Sequence, residues 1–182
     1  MCGVATTDGP RETIGRQCMA ERPSADKLHL GFLRIVALDA GFVGGLLVTN
    51  RIGRPLEFQC TAPVKPNRTQ ELLYGPTLES FLYSEVLGKA LCERVAVKAG
   101  VLLVAQSELL PLREHVDAPV IVLPENVAAG ASPLDAAELH PDFPQDRDWI
   151  ERLKQTVPAS ADIHEPLERV KDALLEALRS AA

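Results

Sequence analysis

No apolar run in this chain reaches the roughly 18 residues that a membrane-spanning helix needs, so a spanning segment is excluded. No C-x-x-C pair exists either. The four cysteines, Cys2, Cys18, Cys60 and Cys92, stand 16, 42 and 32 residues apart, which excludes a zinc ribbon or thioredoxin-type motif. A chain of 182 residues that is 46% hydrophobic buries a core without disulfide staples, so reduced thiols are expected. The first 27 residues hold no apolar stretch of a signal-peptide kind, and the expected location is cytoplasmic. A basic excess is missing too: 19 Lys and Arg stand against 25 Asp and Glu, a net charge of −6. That disfavours nucleic acid and membrane surfaces as partners. There is no G-x-x-x-x-G-K-[ST] loop, G-x-G-x-x-G, H-E-x-x-H or G-x-S-x-G elbow, so no cofactor or resident metal is expected.

What is present is an ordinary globular composition with 24% charged residues, enough for one domain with an appendage. Residues 1–27 read as a flexible leader, 28–130 as an α/β core domain, and 131–182 as a C-terminal helical extension packed on the core. Leu28 to Leu38 and Phe42 to Thr49 read as strands flanking an Asp39 turn, with Gly44 and Gly45 marking a bulge or a close approach. Leu56, Phe58 and Cys60 alternate with Glu57, Gln59 and Thr61, the period of a half-buried strand, and the first set is expected to face inward. Asn67 and Gln70 form a capping-box pattern before a helix over about Thr77 to Val97. The apolar runs Val101 to Ala105 and Ala118 to Leu123 read as strands buried on both faces, joined by a short helix broken near Pro111. Gly130 to Pro144 reads as a loop. Helices are expected from Asp146 to Val157 and after Asp162. The fold expected is therefore α/β: a mixed sheet, with a three-strand antiparallel meander followed by a helix and parallel strands, then C-terminal helices.

That strand order resembles the ribonuclease H-like fold. The resemblance implies carboxylates holding divalent metals for phosphodiester hydrolysis, and its candidates here are Asp39, Glu79, Glu85 and Glu108. The fourth strand has no Asp at its end, and Asp39 closes the first strand instead of lying within it. A second candidate is the locally basic stretch Arg51, Arg54, Lys65 and Arg68, where an anion or an acidic partner fits if the two pairs converge. Regular strands would instead hold the pairs at opposite ends of the third strand. Cys60 is a third candidate, as a nucleophile, although none of His29, His115, His140 and His164 has a spacing that pairs it with a cysteine. Tyr74 and Tyr83, near the helix break, suit an interface or a core edge. Gly44 to Val48 followed by Pro55 to Phe58 resembles the strand pair of MPN (JAMM-type) domains, whose His-x-His pattern is absent here. The same pair resembles roadblock-type scaffold domains, which dimerise.

The leading expectation is a non-catalytic cytoplasmic binding or assembly module that self-associates or joins a protein partner. The alternatives are a metal-dependent nuclease and a small-molecule enzyme using Cys60.

Overall fold

The computed structural model describes residues 28–125, 132–158 and 161–181. The leader expected over residues 1–27, with Cys2 and Cys18, lies outside them. His29–Leu38 (β1) and Gly41–Asn50 (β2) pair antiparallel, His29 opposite Asn50 and Leu38 opposite Gly41. Pro55–Cys60 (β3) pairs antiparallel with β2, with a register shift at Val48/Thr49. Asn67 then caps Arg68–Tyr74 (α1): its side chain accepts from Gln70 N–H, and Gln70 Oε1 accepts from Asn67 N–H, both at 2.9 Å. Gly75, at φ 50°, ends that helix. A short 3-10 turn follows. The chain then runs as one helix through Leu78–Phe81 (α2), a π-helical Leu82–Gly88, and Lys89–Arg94 (α3).

Val101–Val104 (β4) lies parallel to β1, and Val120–Val122 (β5) lies parallel to β4. The segment between them, Ser107–Glu114, is a 3-10 helix with Pro111 inside it; a proline without an N–H suits this short irregular turn better than an α-helix. Glu138–Leu139 (β6) pairs antiparallel with β5, so the stretch expected to be loop contributes a short strand. Arg147–Thr156 (α4) and Glu165–Ala181 (α5) complete the described chain. The sheet is mixed, in the order β3-β2-β1-β4-β5-β6, and the architecture is α/β. Among the described residues no helix is long and apolar enough to cross a membrane.

Strand alternation divides the core into two layers. Leu30, Phe32, Val43 and Leu47 pack under α4 and α5 with Leu153, Leu167, Val170 and Leu174. Leu33, Ile35, Leu46 and Leu102 pack on the opposite face with Leu82, Leu87, Leu91, Leu109 and Leu112. The glycine pair on β2 explains how both layers come close. A Cβ on Gly44 would stand 2.9 Å from Leu91, and one on Gly45 would stand 2.9 Å from Val170 and 3.0 Å from Leu174. The pair therefore marks a close approach of helices on both faces, while the register shift falls further along the strand.

Candidate functional site

The four carboxylates do not gather. Asp39 is exposed in the β1–β2 turn, Glu79 and Glu85 are exposed on the long helix, and Glu108 is half-buried on the 3-10 segment. Glu79 and Glu108 do flank Tyr83, whose hydroxyl is pushed up first by burial and then by their two charges. Among the described residues the trio close enough to share an ion is a different one, Glu114, His140 and Asp142.

The basic residues stand in two pairs. Arg51 and Arg54 are in the β2–β3 turn, where Asn50 Oδ1 accepts from Ile52 N–H at 3.1 Å and Arg54 N–H at 2.9 Å. Lys65 and Arg68 lie past the far end of β3. There Phe42 and Val64 exchange backbone hydrogen bonds, and Arg68 Nη1 lies 3.0 Å from Glu71. The length of β3 separates the two pairs.

One expectation about facing is corrected. Cys60 is exposed, as are Leu56 and Phe58, while Glu57 and Gln59 are half-buried. Phe58 lies opposite Leu47, and Cys60 opposite Gly45. They share the α5 side of the sheet, but α5 packs over β1 and β2 and leaves this edge strand bare. Tyr83 is buried, edge-on to Phe42 at 5.7 Å between centroids, and Tyr74 stacks on Phe81 at 4.3 Å. Of the two cysteines among the described residues, Cys92 is the less exposed. Burial, the dominant cause, with a smaller contribution from Glu93 and against the opposing charge of Lys98, pushes it up to about 12.

Two concave regions deserve description from their side chains upward. The larger, 590 Å³, lies between the end of α3 and residues 113–118 and is lined by Cys92, Val95, Lys98, His115 and Phe143 among others. Beside it Arg113 donates through Nε to Asp146 Oδ2 at 2.6 Å and through Nη1 to the Val116 carbonyl at 2.8 Å, and its guanidinium lies 4.2 Å over the Phe143 ring. His140, 8% exposed, places Nε2 3.2 Å from Glu114 Oε1. Its Nδ1 accepts Asp142 N–H at 3.3 Å, so the ring proton belongs on Nε2, aimed at Glu114. A metal-bound histidine has the reverse arrangement, with the far nitrogen donating. The trio is a hydrogen-bonded clasp between the 3-10 segment and the chain after β6.

The second region is a polar crevice of 360 Å³ at the carboxyl ends of β4 and β5, with Arg34, Ala105, Glu125, His164, Glu168 and Lys171 in its walls. Arg34 Nη1 donates to Glu168 Oε1 at 2.5 Å and Nη2 to Glu125 Oε1 at 3.2 Å. His164 Nε2 is buried without a hydrogen-bond partner. Sequence reasoning did not single out Arg34. The signal was there: it is the one charge in the row Leu30, Phe32, Arg34, Val36, Leu38.

No family model matches the chain, and no curated protein matches it. A solved structure of a protein of unknown function from Archaeoglobus fulgidus DSM 4304 is similar at 11% identity, over 75% of this chain and 72% of that one, with a TM-score of 0.37. A superposition that loose carries no argument about function. The ribonuclease H-like resemblance gains no support from these comparisons.

Proposed function

We propose that this chain is a non-catalytic cytoplasmic assembly module that pairs with a second copy of itself along the outer edge of β3. The observation that carries this reading is the bare apolar face of that edge, where Leu56 is 43% exposed and Phe58 37%, with Ile52 of the preceding β2–β3 turn at 66%. Folded proteins usually blunt an edge strand by shortening it or charging it. The opposite edge obeys that rule, since β6 has two residues. The β3 edge does not. It has six residues, and its one charge, Glu57, is drawn to the other face by Ala96 and Val97 N–H groups.

A two-fold axis through β3 would pair the strand antiparallel with its copy and set Leu56 and Phe58 of each protomer beside those of the other. Such a contact is self-complementary and closed, which limits assembly to the dimer. Light scattering on the purified protein tests it. Wild type is expected to run as a dimer, and Phe58→Lys as a monomer with unchanged circular dichroism. A wild type that stays monomeric at the highest concentration reached, or a Phe58→Lys protein that stays dimeric, refutes the reading.

A further inference from the structure

We infer that the β3 edge is keyed to a second copy of this chain in one register: Phe58 meets Phe58, Leu56 meets Cys60 and Glu57 meets Gln59. The inference rests on the dimer reading above and adds which residues of the two copies face each other. It follows from the backbone groups that the edge leaves open, from those that the neighbouring turn has already taken, and from the place of the charge on β3.

Thr61 N–H donates to the Gly44 carbonyl at 2.9 Å, one step beyond Cys60 opposite Gly45. Antiparallel pairs alternate between those that exchange backbone hydrogen bonds and those that do not. Gln59 opposite Leu46 and Glu57 opposite Val48 are therefore the bonded pairs within the sheet. Leu56, Phe58 and Cys60 turn their N–H and C=O groups outward. Toward the β2–β3 turn the edge is closed: Arg54 N–H donates to Asn50 Oδ1 at 2.9 Å, and its carbonyl accepts Asn50 N–H at 3.0 Å.

A two-fold axis normal to the sheet keeps every side chain on its own face, so the central residue of the pairing meets itself. Centring on Phe58 lets it exchange both bonds with its copy and sets Leu56 against Cys60 on either side, which uses every outward group. Centring on Leu56 sets Phe58 against Arg54, and centring on Glu57 sets Cys60 against Arg54, whose backbone is already engaged. Centring on Gln59 carries Leu56 past the end of β3. The Glu57 register also brings two carboxylates together in the closely spaced kind of pair, where like charges destabilise. With Phe58 at the centre, each Glu57 instead meets Gln59, whose amide already donates to Glu57 of its own strand at 3.0 Å. The facing Phe58 rings, flanked by Leu56, cover the apolar face as cross-strand neighbours. Gln59 is thus a residue that fits this edge to its own copy.

Disulfide trapping in the full-length protein reads the register. Opposed residues of a bonded pair stand about 5.5 Å apart, within reach of a disulfide, whereas an offset along the strand is too far. Leu56→Cys, oxidised with diamide, is expected to link its new thiol to Cys60 of the second copy. Phe58→Cys combined with Cys60→Ser is expected to link to itself, and peptide mapping identifies the joined positions. Gln59→Glu sets a carboxylate against each Glu57 and should raise the dimer dissociation constant roughly tenfold; if that variant fails to fold, the trapping still decides. A dimer by light scattering in which neither expected link forms, or in which Leu56→Cys or Glu57→Cys links to itself, overturns the register and leaves the dimer standing. A wild type that stays monomeric refutes the dimer and the register together.

Discussion

Glu57 shows what one side chain does at the open edge of the sheet. Its carboxylate accepts Val97 N–H at 2.7 Å and Ala96 N–H at 3.1 Å, which ties β3 to the loop after α3. The Val97 hydrogen bond is the largest cause holding its pKa below the usual carboxylate value. Gln59 and then Ala96 act the same way, burial opposes them, and Lys98 adds its charge. A depressed folded pKa means stability that is fully present above the unfolded pKa and is lost as pH falls through the folded one. Glu57→Gln is therefore expected to be less stable than wild type at neutral pH, with the gap closing in acid. Urea midpoints at the two pH values check this, and a gap that does not change with pH would show that the charge plays no part. Residue-level facing was the least legible property of the sequence. Alternation marked β3 as a strand, but period alone does not say which face is covered. Phe58 and Cys60 do share a face with core residues of β2; that face is simply beyond the reach of α5. Arg34 was legible in principle, as a charge in an apolar row, and its ion pairs with Glu125 and Glu168 appeared only in the fold.

At the scale of elements, the 3-10 segment and the chain leading into α4 are joined by a buried ion pair. Arg113 and Asp146 side chains are 12% and 4% exposed, with a second contact from Nη2 to Oδ1 at 3.3 Å. Removing one member of such a pair strands the other charge in a poorly solvated site, at a cost of about 3–5 kcal/mol. Asp146→Ala should lower stability by that amount in a urea titration, and Arg113→Met combined with Asp146→Leu should recover much of it. A loss in Asp146→Ala no larger than that of a surface substitution, about 0.5 kcal/mol, would show that the pair does not join the elements. These connections were hard to read beforehand for physical reasons. Long apolar runs such as Val101 to Val104 announce themselves, because a strand covered on both faces leaves no polar position. The two residues of β6 carry no period at all, and the contacts of His140 with Glu114 and of Arg113 with Asp146 that hold the chain after them come from residues scattered through the sequence. The capping box at Asn67 is the opposite case, a local signal with a local cause, and it formed as read.

For the whole molecule, the two helical layers cover both faces of the central strands and leave one edge incomplete, so the proposed dimer makes a prediction about the reactivity of the thiols. Cys60 lies on the bare edge and is exposed, while Cys92 sits within the helical layer with its thiol pushed up to about 12. Alkylation depends on thiolate and on access. Cys92 is expected to react slowly at neutral pH whatever the protein concentration. Cys60 should react quickly in dilute protein and progressively more slowly as concentration drives β3 into the pairing, since association follows mass action. In Phe58→Lys the Cys60 rate should stay fast at every concentration. Peptide mapping after a brief pulse of iodoacetamide measures both sites in one sample. If light scattering reports a dimer while Cys60 keeps one rate throughout the series, the copies meet elsewhere, and the exposed Leu72 and Leu73 of α1, at 67% and 78%, become the surface to substitute next.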